Sequence, residues 1–142
     1  MLKSSIQSLE VSFLVHATED ETKIGKAVAS VLEFEGEPKR DEMEGHFGNS
    51  IVRVSYHLTG EEAQGAFGKL VSKMEPALRK RLRGDVGERL DEHSALYLRL
   101  DKQCLMEGRV ELADADPIRI RVKPRLYTAK GGARALFVGF LS

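Results

Sequence analysis

The chain has 142 residues, 42% hydrophobic and 31% charged, with a single cysteine and no tryptophan. That length suits one domain, residues 1–142, able to bury a core without metal or disulfide staples, and the lone Cys104 rules out an intramolecular disulfide or a thiolate cluster, as expected of a reducing, cytoplasmic compartment. No apolar run approaches the roughly 20 residues needed to cross a bilayer, and Met1–Ile6 is too short and polar for a secretory signal, so no membrane association is expected.

Leu9, Val11, Phe13 and Val15 alternate with Glu10, Ser12 and His16, the period of a half-buried strand. Thr18-Glu19-Asp20-Glu21 offers a capping box, and Ile24, Ala27, Val28, Val31 and Leu32 then recur at helical spacing, which predicts a helix over residues 19–34 that stops before Gly36 and Pro38. Residues 39–46 alternate weakly as a short strand, and Gly45–Ser50 is a turn. Val52, Val54, Tyr56 and Leu58 share one face of the next strand, opposite Arg53, Ser55 and His57. A second capping box, Thr59–Glu62, opens a helix carrying Ala63, Ala66, Phe67, Leu70, Val71 and Met74 on one stripe. Pro76 suits the first turn of a further helical piece, which presents Arg79, Lys80, Arg81 and Arg83 before Gly84 stops it.

Three more strands follow: Leu96–Leu100, residues 109–112 and Ile118–Lys123, the last two joined as a hairpin by the turn Ala113–Pro117, with Pro124 halting the pairing. The apolar tail after Gly131-Gly132 is too short to type as helix or strand. The order β-α-β-β-α-β-β-β predicts an α+β fold, a two-layer α/β sandwich in which two main helices cover one face of a mixed or mainly antiparallel sheet of about six strands. The other face stays open, and the polar positions of the strands place on it Arg53, Arg99, Arg109, Arg119, Arg121 and Lys123, with His57 and Tyr97 among them and Glu10 and Glu111 as the acids.

The charge distribution sharpens this. The net charge is zero, 22 basic against 22 acidic residues, yet residues 1–62 hold 6 basic and 12 acidic side chains, and from Pro117 to Ser142 there are six Lys or Arg and no Asp or Glu. Such polarity suits an anionic partner for the second half. Arginines with an aromatic ring on a flat sheet are one way to hold RNA, guanidinium groups meeting phosphates and the ring stacking on an unpaired base. Any one-sided sheet also needs a polar outer face, so the residues alone leave both readings open. His16, His46, His57 and His93 lack metal-ligand spacing, no Gly-x-Ser-x-Gly elbow is present, and neither a metal nor another cofactor is expected.

Glu44-Gly45-His46-Phe47-Gly48-Asn49-Ser50-Ile51-Val52, Leu96-Tyr97-Leu98-Arg99-Leu100-Asp101-Lys102-Gln103 and Glu107-Gly108 resemble an archaeal family of small RNA-binding proteins, described as predicted exosome-associated subunits. The resemblance implies a fold like that of the large-subunit ribosomal protein that binds 5S RNA, RNA as ligand and no enzymatic activity. It draws attention to His46, Asn49, Arg99, Asp101, Lys102 and Gln103 without giving them roles. The expected function is therefore a non-enzymatic RNA-binding domain, associated with RNA processing or degradation. Arg53, Arg99, Lys102, Arg119, Arg121, Lys123 and Arg125 are its candidate phosphate contacts and Tyr97 its stacking platform. The alternatives are a protein-interaction or assembly module that docks an acidic partner, with opposite charges on the two halves favouring self-association, and a small nuclease using His57 with neighbouring carboxylates.

Overall fold

Alternation over the first strand is realised as β1 (Ile6–His16), whose Leu9, Val11, Phe13 and Val15 are buried while Glu10, Ser12, Leu14 and His16 are half-buried on the opposite side. The structure, a computed structural model, describes residues 5–45, 48–125 and 130–142. The further strands are β2 (Lys39–Glu44), β3 (Ser50–Thr59), β4 (Leu96–Leu100) and β5 (Ile118–Pro124), in the spatial order β2-β3-β1-β5-β4 with every pairing antiparallel. The helices are α1 (Glu21–Leu32), α2 (Gly60–Ser72), α3 (Pro76–Asp85), α4 (Lys102–Met106) and α5 (Lys130–Leu141), with a short 3-10 turn at Val86–Arg89 after α3. The α2 helix packs across β1 and β3, with α1 beside it and α5 against α2 and α3. This is the expected two-layer sandwich with one face of the sheet left open.

Local chemistry explains the element ends. The α1 helix starts two residues later than the Thr18 box suggests: Asp20 is the cap, its carboxylate accepting the Lys23 N–H at 3.2 Å, while Glu19 accepts from the His16 N–H instead. Glu33, in the left-handed region at φ 51°, ends the helix. Between β2 and β3 a side chain on Gly45 would come within 2.6 Å of Ile51 Cδ1, which would have to move aside, and Gly48 takes φ +75°, a conformation that favours glycine. His46 and Phe47 of the same turn lie outside the described residues.

One expectation of the fold needs correction, and two segments that periodicity left untyped form helices. The sheet has five strands, because residues 109–112 form no strand with β5; Leu112 makes only an isolated bridge to Leu100. Ile118–Lys123 pairs with β1 along one edge and with β4 along the other, so neither edge is left for residues 109–112. The 109–113 segment lies beside β4 instead, through Asp101 N–H to Glu111 O at 2.8 Å and Ala113 N–H to Arg99 O at 3.0 Å. The segment after β4 turns into α4, because the Asp101 carboxylate accepts the Cys104 N–H at 2.8 Å and nucleates a helix there. The apolar tail is helix α5, whose Ala133, Phe137 and Leu141 recur every fourth residue and are buried; Phe137 and Phe140 meet Phe67 of α2 edge-on at 5.9 and 5.2 Å.

Asp101 gives the domain an acid-sensitive point. The bond from Cys104 N–H holds its carboxyl below the ordinary value, so its contribution to stability is complete above the unfolded pKa and is lost as pH falls through the folded one. Acidification below about pH 4 should therefore lower the thermal midpoint. Asp101→Asn, which keeps a cap acceptor but cannot titrate, should show a shallower fall over the same range in circular-dichroism melts; an unchanged slope would remove Asp101 from the acid-sensitive groups.

Candidate nucleic-acid interface

Residues directly opposed across antiparallel strands project from the same side of the sheet, so the register reads out the open face row by row. One row crosses all five strands as Lys39, Ser55, Ser12, Arg119 and Arg99, three cations and two hydroxyls with no acid. At about 4.8 Å per strand it spans roughly 19 Å. The neighbouring row holds His57, Glu10, Arg121 and Tyr97. Arg53 lies opposite Leu14 on one side and Asp41 on the other, and Lys123 lies opposite Ser8.

The cations divide by what they already touch. Arg53, Arg99 and Arg119 are exposed, Lys123 is half-buried, and none of the four forms an ion pair among the described residues. Arg121 is held: its Nη2 lies 3.4 Å from Asp91 Oδ2, and its guanidinium carbon sits 5.7 Å from the Tyr97 ring centroid. Burial alone would raise the Asp91 carboxyl, but N–H bonds from Ala95 and His93 together with Arg121 bring it below its ordinary value, so it stays charged beside Arg121. Tyr97 is one of two large apolar side chains exposed among the described residues, at 44%. Arg125 is half-buried, and its N–H donates to Ser5 O, continuing the β1–β5 edge.

Lys102 does not lie on this face. Its side chain is 8% exposed, and its Nζ donates to Leu14 O at 2.9 Å, to both Glu19 oxygens at 3.1 and 3.2 Å, and to Asp116 Oδ2 at 2.7 Å. A four-carbon stem carries the ammonium into the space between the end of β1 and the turn before β5, which leaves it no proton for a phosphate. The same ammonium sits where His16, Glu19 and Asp116 bring ligand atoms within 4.8 Å of one another, so it supplies the positive charge that such a set would otherwise draw from a metal ion. Arg109 is also off the face; it follows α4 and pairs with Glu107 at 2.7 Å.

The open face gains residues that sequence reasoning missed. Lys39 belongs to the acid-free row, but β2 is exposed throughout, so no apolar alternation marked which side it takes. Of the helix-end cluster, Arg83 caps α5 by donating to Leu141 O at 2.7 Å, and Arg81 reaches the rim of the sheet near Arg99. For the nuclease alternative, His57 Nδ1 lies 3.2 Å from Glu10 Oε1, with His57 exposed and Glu10 half-buried. The Cys104 thiol is held above its ordinary value by desolvation and by Asp101 beside it, the opposite of what a nucleophilic cysteine needs. Among the described residues no helix is long and apolar enough to cross a membrane.

Fold and face together define an α+β domain with a solvent-open sheet that is basic along one row. The chain belongs to the family described as RNA binding, whose model matches residues 8–124. A Pyrococcus abyssi protein named an RNA-binding protein is 30% identical over 138 residues, covering 90% of this chain and 88% of its own length. An uncharacterised protein of Methanocaldococcus jannaschii is 32% identical over 133 residues, covering 88% of this chain and 89% of that one. Among solved structures, a DUF54 protein from Methanothermobacter thermautotrophicus superposes with a TM-score of 0.78 at 28% identity, over 98% of this chain and 100% of that one. One from Archaeoglobus fulgidus superposes equally well, with a TM-score of 0.78 at 29% identity, over 96% and 99%.

Proposed function

We propose that this domain binds RNA on the open sheet face, as a non-enzymatic module. The observation that carries the reading is the acid-free row Lys39–Ser55–Ser12–Arg119–Arg99, whose cations have no ion-pair partner among the described residues on an otherwise balanced chain. Family membership and the name of the Pyrococcus abyssi relative support the same ligand. Arg53 and Lys123 flank the row as further phosphate contacts, while Arg121 serves by fixing Tyr97 as a stacking surface. Work within a cytoplasmic RNA-processing or RNA-degrading complex, and kinship of fold with the ribosomal protein that binds 5S RNA, complete this reading; the resemblance in residues 96–103 supports both.

Five phosphate contacts, from Lys39, Arg53, Arg99, Arg119 and Lys123, give a slope of log affinity against log salt of about −3.5 for a single strand, at about −0.7 per phosphate. Titration of a labelled RNA at several salt concentrations should return a slope of that order. Binding that is absent, or that ignores salt, would sink the reading, and saturable binding of an acidic protein instead would support the interaction-module alternative. Cleavage of the RNA that is lost in His57→Ala would support the nuclease.

A further inference from the structure

The acid-free row ends at Arg99, and beyond it the surface drops into a cleft of about 410 Å³ between β4 and the 3-10 turn after α3. Its lining combines Tyr97 with three arginines, Arg81, Arg89 and Arg99, and three carboxylates, Glu88, Asp91 and Asp114. We infer that this cleft receives one unpaired nucleotide of a single RNA strand lying along the row, its base against Tyr97 and its phosphate among the arginines. The inference rests on the reading of the open face as an RNA-binding surface.

The composition of the cleft favours a nucleotide over a bare anion or a metal ion. Its volume lies in the range of sites for small organic ligands. The Tyr97 ring offers a stacking plane, guanidinium groups serve phosphate and ring acceptors, and carboxylates accept from ring amino groups. Tyr97 is already pre-positioned, because Arg121 lies 5.7 Å from its ring and is itself held by Asp91. Arg81 and Arg89 share one carboxylate, Asp85, at 3.9 and 3.5 Å, so the two guanidinium charges are only partly neutralised. A base inside a duplex is stacked and paired and cannot enter; an unpaired one can be splayed into the cleft.

The chain has no tryptophan, so Tyr97→Trp gives an indole that reports from this site alone. Titrate that variant with a labelled single-stranded RNA and with the same strand annealed to its complement, following both indole emission and the anisotropy of the label. The single strand should quench the indole at the midpoint seen by anisotropy, and the duplex should not. In parallel, Tyr97→Ala should weaken single-strand binding about tenfold or more, with little effect on the duplex, and Tyr97→Phe should restore it, since stacking needs the ring and not the hydroxyl. A single strand bound with unchanged emission, or with unchanged affinity by Tyr97→Ala, overturns the cleft while leaving RNA binding by the face intact. Equal quenching by single strand and duplex overturns it as well. Failure of the unaltered protein to bind either RNA sinks both readings together.

Discussion

Lys102→Met is expected to lower unfolding stability by about 2–4 kcal/mol, although it exchanges one buried stem for another of similar length. Removing one partner of a buried ion pair costs about 3–5 kcal/mol because the opposite charge is left uncompensated. The loss is smaller here because Glu19 and Asp116 remain 26% and 42% exposed and water screens them. Without the ammonium the two carboxylates face each other, and Leu14 O loses its side-chain donor. The turn before β5 depends on the same ammonium, since Asp116 sits at φ 46°, a strained conformation for a non-glycine residue. Adding Glu19→Gln and Asp116→Asn to Lys102→Met should recover much of the loss, because neutral amides no longer repel. Urea unfolding measures both effects, and the folded fraction of Lys102→Met should bind RNA as the unaltered protein does. A variant as stable as the unaltered protein, with weakened RNA affinity, would return Lys102 to the binding face.

Sequence periodicity revealed the parts of this fold in which one face is dry. The β1, β3, β4 and β5 strands and the α1 and α2 helices bury one side of each element, and each shows its period in the order of apolar residues. The β2 strand buries nothing, so its alternation was weak and the side taken by Lys39 illegible. Residues 109–112 alternate as a strand does, yet their partner is set by where α4 returns the chain, a tertiary matter. In Leu96–Gln103 the outward positions Tyr97 and Arg99 reach the open face, whereas Asp101 caps α4, Lys102 turns inward to two carboxylates and Gln103 bonds Glu107. A charged residue looks the same in sequence whether it meets solvent or a buried counter-ion, and only the positions of Glu19 and Asp116, 83 and 14 residues away, decide it for Lys102.

Ile120→Ala and Arg119→Ala, adjacent on β5, are expected to part company completely. Ile120 is fully buried between Val11 of β1 and Leu98 of β4, so truncation should cost about 2–5 kcal/mol by urea unfolding and leave the RNA affinity of the remaining folded protein unchanged. Arg119 is exposed between Ser12 and Arg99, with no ion pair among the described residues, so its loss should shift stability by no more than about 0.5 kcal/mol. In RNA titrations the same change should flatten the salt slope by about 0.7, the share of one phosphate on a single strand. Arg121→Ala should fall between the two, losing roughly 1–2 kcal/mol with the Asp91 pair and the stacking on Tyr97, both of which are partly sheltered from water. The order Ile120, Arg121, Arg119 in stability cost therefore tests the register, and the salt slope tests the face. If Arg119→Ala left that slope untouched while Arg99→Ala and Lys39→Ala did the same, the row would be solvated surface, and RNA binding by this chain would have to be sought on α3, where Lys80 and Arg81 remain exposed.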